Sequence, residues 1–322
     1  MLWRRQKQLI VPPKTPTGVW RTHCQLPTLL PLSGSRWRLY FSGRDEHNRS
    51  HGLFAELDLS HGVEVTDIQT SPVLSPGVPG AFDAEGAMPS SFLWRGKELW
   101  LYYCGISVRR DVPWQVAIGL AVSRDGGLSF QRATPGPVLG QGPMEPFSCF
   151  SPLVLDEGDE LLMYYPSMTA WRSWNGQMEP LYALKLARSS DGVGWTGNPD
   201  LLVDFSDDQE GGITRPSILS RGGRAHMLFS HRGWKDYRTS TATAYHFGYA
   251  VSDGGERWTR RDDDVGFVNP PDPDDWDGMM QAYPAMIQVG DEVLCFYCGN
   301  GFGQAGIGYA TLEGGVASLD PA

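Results

Sequence analysis

The chain has 322 residues, 41% of them hydrophobic and 20% charged, and a formal net charge of −10. That balance argues against a nucleic-acid partner, which needs a broad basic field to displace counterions, though not against a small basic pocket. There is no apolar run long enough to span a bilayer and no apolar h-region in the opening MLWRRQKQLIVPPKTP, so a cytoplasmic protein without a membrane partner is expected.

In chain order, the segment QKQLIV comes first as an isolated strand. A pattern then recurs: a small or polar residue beside a proline, an apolar strand, a turn, and a second strand rich in Trp, Tyr and Phe. The copies are QLPTLLPLSGSRWRLYFSG, AMPSSFLWRGKELWLYYCG, FSPLVLDEGDELLMYYPS, TRPSILSRGGRAHMLFSH and AYPAMIQVGDEVLCFYCG, with marker prolines at 27, 89, 152, 216 and 284. Each is followed by a polar loop and a third strand: HGLFAELDL, VAIGLAVS, LYALKLARS, HFGYAVS and AGIGYATL. In the middle three a turn (SRDGGLSF, SSDGVGW, SDGGERW) and a fourth strand follow. In such turns an Asp carboxylate caps backbone N–H groups and Gly supplies positive φ, so Asp125, Asp191 and Asp253 are read as structural.

Five copies of a four-stranded unit predict an all-β fold, a five-bladed β-propeller over residues 1–322 as one domain. The last copy lacks a fourth strand; the N-terminal strand is expected to supply it and close the ring, leaving no sheet edge unpaired. The cysteines at 24, 104, 149, 295 and 298 lie mostly in apolar strands, and the single CxxC pair has no second pair to complete a zinc site. Reduced core thiols, no metal and no cofactor are the expectation. The oligomeric state is not legible.

In a propeller the inner strands and the loops between second and third strands open on one face. Those loops, over 44–51, 105–115, 167–180, 231–244 and 299–305, carry eight Lys or Arg against five acids. A basic face on an acidic protein suits a phosphate- or carboxylate-bearing small molecule, because guanidinium groups recognise planar anions bidentately. It also fits ordinary solvated loops. Trp114, Trp171, Trp174, Trp234, Tyr237 and Tyr245 lie on the same loops, as sugar-stacking rings or as structural plugs.

The repeat resembles the arabinanase/levansucrase/invertase superfamily of five-bladed propellers. More closely, HCQLPT, YFSGRDEHNRSHG, FDAEGAMPSS, TRPSIL, WDGMMQAYP and CGNGFGQAGIGYATLE resemble a largely uncharacterised bacterial branch of glycosidase-like proteins, over nearly the whole chain. The resemblance implies a glycoside hydrolase-like enzyme. It also implies carboxylates directly before the marker proline in the first two blades and two residues before it in the third. Here Leu26, Met88 and Phe150 stand there, so the two-carboxylate mechanism does not transfer. In the fifth blade Met279 replaces an acid that the branch often carries.

His23 and Glu85 both lie four residues before their marker prolines, at equivalent depth in neighbouring blades. With Asp45 they are the catalytic candidates, since imidazole and carboxyl groups perform general acid–base work; each is equally explicable as a loop-holding hydrogen bonder. Arg49, with Asp45, Asn48 and His51, forms the polar core of the first-blade loop. Arg215 and Tyr283 immediately precede marker prolines and should face the channel, where Arg215 needs an anion: a ligand, or an acid such as Glu210 or Asp277. His231, Arg232 and Asn300 should ring the same opening, with Trp114 beside them. Asp83, Asp277 and Glu145 are site acids or caps. The leading expectation is a carbohydrate-active enzyme, hydrolase or transferase, acting on an anionic sugar. A biosynthetic enzyme using the pocket for a non-glycosidic step such as cyclisation, and a non-catalytic sugar-binding propeller, stand as alternatives.

Overall fold

A computed structural model describes residues 1–16 and 18–319; Thr17 and residues 320–322 of the expected domain lie outside the described residues. The chain is nearly all β, and its strands fall into five antiparallel groups matching the five repeats. The first comprises Thr22–Pro31, Arg36–Arg44, Ser50–Asp58 and Glu64–Leu74. The second comprises Gly86–Arg95, Glu98–Ser107, Gln115–Ser123 and Gln131–Arg132. The third comprises Leu153–Asp156, Leu161–Trp174, Gln177–Ser189 and Thr196–Gly197. The fourth comprises Glu210–Arg221, Arg224–Gly233, His246–Ser252 and Thr259–Arg260. In the fifth, Ala282–Val289, Glu292–Cys298 and Ile307–Leu312 are joined by the N-terminal strand Leu2–Ile10, antiparallel to Ile307–Leu312 and parallel to Gly266–Phe267.

Apolar and aromatic residues at the strand centres build the core between units rather than within them. Tyr40, Phe54, Leu99 and Phe130 pack between the first and second units, and Tyr102, Ile118, Met163 and Tyr165 between the second and third. Tyr164, Ala183, Met227 and Phe229 follow between the third and fourth, and Leu228, Phe247, Met286 and Tyr297 between the fourth and fifth. A further cluster joins Phe41 and Leu53 of the first unit to Ile287, Phe296 and Tyr309 of the fifth. Burying each such side chain stabilises by about 1.5–3 kcal/mol. Gly119 and Gly248 let the second-strand rings cross the third strand, since a Cβ there would lie 2.3 Å from Tyr103 and 2.2 Å from Phe229.

Hydrogen bonds set the step from one unit to the next. Tyr40, Tyr102 and Tyr164 donate their hydroxyls to Gly127, Gly192 and Gly255, each in the Asp-bearing turn of the following unit. The Asp125 carboxylate accepts from Ser129 N, and Asp191 from Val193 N and Gly194 N, as turn caps should. Asp253 departs from this and pairs with Arg224. Between fifth and first units, the Cys298 thiol donates to the Cys24 carbonyl. All five cysteines are free and buried.

A second repeat is electrostatic. A buried carboxylate stands at or before the start of the inner strand in four units. Asp83 accepts from Tyr103 OH (2.9 Å) and Arg132 Nε (2.7 Å). Glu145 accepts from Tyr165 OH (2.8 Å), Ser167 and Lys185 Nζ (3.2 Å). Glu210 is clamped by both terminal nitrogens of Arg260 (2.7 and 3.0 Å) and by His231 Nδ1 (2.8 Å). Asp277 is clamped by Arg5 (2.6 and 3.0 Å) and accepts from Tyr297 OH (2.7 Å). In the first unit Trp20 packs on Phe41 at 5.1 Å in the corresponding place. These acids tie the strands of their own unit together.

Candidate functional site

The inner strands converge on a cavity of about 510 Å³ to which every unit contributes: Leu26, Met88, Phe150, Thr214 and Tyr283 come one from each. The backbone at the marker prolines is what aims them. Leu26, Ser151, Arg215 and Tyr283, each directly before its proline, hold positive φ of 60°, 44°, 54° and 59°. Non-glycine residues adopt this region at a cost of roughly 1–3 kcal/mol each, and such strain collects at functional sites. The inner-strand register shifts at the same places, between Gln25 and Thr28, Pro89 and Ser91, Thr214 and Ser217, and Ala282 and Ala285.

The cavity has two chemically distinct walls. Leu26, Met88, Cys104, Ile106, Val116, Trp114 and Phe150 form a continuous apolar surface, with Trp114 against Phe150 and Trp171. Opposed to it in character are Tyr182, Tyr237, Tyr245, Tyr283, Thr214, Arg238 and Arg44. Burial pushes the Tyr237, Tyr245 and Tyr283 phenols above their ordinary pKa, so they are hydrogen-bond donors at neutral pH. Arg232 Nε donates to Tyr182 OH at 3.0 Å, and the Tyr182 and Tyr245 hydroxyls bond each other. Whichever of the two donates in that bond, one phenolic proton remains for a ligand. Thr214 is fully buried and its hydroxyl has no partner.

Glu85 is the one carboxylate lining this cavity, and no hydrogen bond or ion pair engages its carboxyl oxygens among the described residues. Arg44 donates to Gln25 Oε1 (2.9 Å) and Asn48 Oδ1 (3.0 Å) and has no carboxylate partner; burial lowers its pKa. Arg238, by contrast, is paired with Glu179 at 2.5 Å, which also accepts from Tyr237 OH at 2.7 Å.

Of the residues expected at the site, Glu85, Trp114 and Tyr283 line the cavity. Asp45 does not: it accepts from Arg49 N, His47 N, Arg49 Nε and His51 Nε2 at 2.9–3.1 Å. Burial alone would raise its pKa, but these bonds hold it down at about 2, so Asp45 is a loop staple rather than a proton donor, with Arg49 as its partner. Asp83, Asp277 and His231 belong to the unit-tying pairs. Arg215 is buried, donating to Pro27 O (2.7 Å) and Thr28 Oγ1 (3.3 Å) with no acid beside it, and burial lowers its pKa to about 10. Its expected partners Glu210 and Asp277 are engaged elsewhere. Arg232 sits behind the cavity, 3.7 Å from the Tyr237 ring centroid. Asn300 accepts from Met279 N and Met280 N, a loop role. His23 is half-buried against Thr22; burial, then the charge of Arg44, lowers its pKa to about 4.

Sequence reasoning passed over Tyr182 and took Arg44 only as one of eight loop charges, whereas Tyr237 and Tyr245, named there as stacking rings or plugs, do line the cavity. The spacing of 20 residues that Asp83–Tyr103, Glu145–Tyr165 and Asp277–Tyr297 share was the available signal that those acids are structural.

The fold is that of the β-propeller superfamily of family-43 and family-32 glycoside hydrolases. A glycosyl hydrolase from Bacteroides ovatus superposes with a TM-score of 0.72 at 15% identity, covering 99% of this chain and 95% of that one. A thermostable family-43 glycoside hydrolase superposes with 0.61 at 18%, covering 91% and 89%. In sequence, the chain belongs to the family of the uncharacterised protein Rv1502 of Mycobacterium tuberculosis, which is 33% identical over 316 residues, 97% of this chain and 100% of that protein. No known family profile matches the chain. Among the described residues no helix is long and apolar enough to cross a membrane.

Proposed function

We propose that the five units are the blades of one closed propeller domain, completed by the N-terminal strand, and that its cavity takes an anionic or phosphate-bearing sugar on which a carbohydrate-active enzyme acts. Apolar clusters between all successive units, including fifth and first, support the ring. The observation that carries the function is the pair of unmatched charges on the cavity wall: Arg44 without a carboxylate and Glu85 without a cation. A half-buried guanidinium held by two carboxamide oxygens is oriented yet uncompensated, which is what a site for a sugar's phosphate or carboxylate requires. Tyrosine hydroxyls and the Thr214 hydroxyl supply further donors, and Trp114 and Phe150 a surface for the sugar's C–H face.

Glu85 is the proton-transferring group. It protonates the leaving oxygen as that bond breaks and recovers a proton from the incoming acceptor hydroxyl. With Leu26, Met88 and Phe150 on the cavity wall there is no second carboxylate there to complete the two-acid hydrolytic arrangement. The single carboxyl equally favours a second reading, a non-glycosidic proton transfer such as a cyclisation, which needs only one acid–base group.

The test is calorimetry and product analysis with sugar phosphates and uronic acids against neutral sugars. Anionic ligands should bind preferentially, and chromogenic arabinosides and fructosides should not be turned over. Equal affinity for neutral and anionic sugars would overturn the anion reading; rapid arabinoside hydrolysis independent of Glu85 would overturn the mechanism. Tight binding with no turnover would leave a sugar-binding propeller.

A further inference from the structure

Glu85 faces two hollows. Beside the central cavity lies a second, of about 500 Å³, between the 80–85, 107–117 and 137–141 segments, and both are lined by Glu85 and Val108. Their electrostatics differ. The central cavity carries Arg44, His47 and Arg238, whereas Glu85 is the one ionisable side chain among those that line the second. Its polar groups are carboxamides and a hydroxyl. Gln115 Nε2 donates to Gln141 Oε1 (2.8 Å), Gln141 Nε2 to the Pro146 carbonyl (3.0 Å), and Arg109 to Gln115 Oε1 (2.5 Å). Ser107 and the Phe82 ring complete the wall.

We infer that this second cavity binds a neutral, hydroxyl-rich group such as a sugar ring, and that the substrate is bipartite: an anionic half in the central cavity, a neutral half here, and the reacting bond at Glu85 between them. This rests on the reading of the central cavity given above. The physical argument is one of exclusion. A second anion would be repelled by Glu85, and no cation lines the cavity: Arg109 is outside the lining, turned onto Gln115. A wholly apolar group would cut off from water the second N–H that each of the Gln115 and Gln141 carboxamides has beyond the bonds above. A sugar ring lays its C–H face on Phe82 and gives its hydroxyls to the carboxamides, and the volume is of the order a small ligand needs.

The experiment uses the full chain and two probes: neutral methyl glycosides, observed by saturation-transfer NMR, and inorganic phosphate, observed by calorimetry. Gln141→Trp fills the second cavity from an exposed loop, and Gln115→Leu removes a carboxamide without filling it. Methyl glycoside signal should persist in Arg44→Ala, disappear in Gln141→Trp and fall in Gln115→Leu, with phosphate binding intact in the last two as the check on folding. Glycoside signal that survives both Gln substitutions, or no signal from any methyl glycoside, overturns the inference. Loss of phosphate binding to the parent alongside the expected glycoside pattern would instead overturn the anion reading and leave this subsite standing.

Discussion

Asp83, Glu145, Glu210 and Asp277 each have a cation within 3.2 Å, and three of them also accept from a tyrosine hydroxyl of their own unit. On the cavity wall, among the described residues, Glu85 has no cation and Arg44 no anion. The two regions draw on the same residue types, so composition does not separate them; pairing does. A buried carboxylate is tolerated only when matched, and removing one partner strands the other. Glu85 and Arg44 are the unmatched charges on the wall of the proposed ligand cavity, and substitutions in the two regions should fail in different ways.

The largest difference is expected at Glu85. Glu85→Gln should lower turnover of whatever anionic sugar is found to react by about a hundred- to ten-thousand-fold, the usual worth of general acid–base assistance. Its melting temperature should match the parent's, because no partner is stranded. Single-turnover rates and calorimetric melting together decide it; a rate near the parent's would place the chemistry elsewhere.

Asp277→Asn should do the reverse. It removes the buried one of Arg5's two anions and leaves the half-buried guanidinium with Asp275, at a cost of about 1–3 kcal/mol in denaturant unfolding. The N-terminal strand should loosen first, since Arg5 adds a side-chain tie to its pairing with Ile307–Leu312, and hydrogen exchange over residues 2–10 would show it. Retained stability would mean that the fifth unit does not depend on the pair. Glu210 offers a pH version. Burial would raise its pKa, but His231 and Arg260 outweigh this and hold it at about 2. The unfolded chain binds the proton first, so this stability is fully present above about pH 5 and is lost as pH falls towards 2. At about 1.4 kcal/mol per pKa unit it is worth roughly 3 kcal/mol. Glu210→Gln should flatten that limb of an acid-unfolding curve; an unchanged limb would show that the pair contributes nothing.

Arg44→Ala should weaken phosphate or sugar-phosphate binding by about ten- to a hundredfold, the worth of a hydrogen bond to a charged group. Arg49→Ala, whose partner is Asp45, should change it little. If calorimetry ranks them the other way, the first-unit loop and not the cavity wall holds the anion.

How much of this the sequence displayed depends on range. The prolines at 27, 89, 152, 216 and 284, the alternation of apolar strands and the Asp-bearing turns are local patterns, and they locate the repeat directly. The missing strand of the fifth unit pointed to Leu2–Ile10 because an unpaired edge is costly. The partners of the acids were not legible, because Arg132 is 49 residues from Asp83 and Arg5 is 272 from Asp277. Asp45 looked available because its loop partners His47, Arg49 and His51 read equally well as a ligand-binding cluster. Arg44 looked like one solvated loop charge among eight, and only the fold shows that the end of Arg36–Arg44 brings it to the cavity wall.

His23 sharpens the comparison at its smallest scale. It was expected as half of an acid–base pair with Glu85, and such a role requires an imidazole that exchanges protons near neutrality. Burial, helped by Arg44, instead lowers its pKa to about 4. At pH 7 the ring is neutral and cannot serve as a general acid. Between pH 6.5 and 4 the unfolded chain holds a proton on this histidine that the folded chain does not, so stability falls as pH drops through that window and levels below it. Two measurements follow. The His23 ring resonances should titrate with a midpoint near pH 4. In His23→Asn, chosen because Asn tolerates the positive φ at this position, that part of the acid slope should vanish while turnover stays within about threefold of the parent. A midpoint between 6 and 7 together with a hundredfold loss of rate would return His23 to the chemistry and make Glu85 one member of a pair rather than the single proton carrier of the cavity.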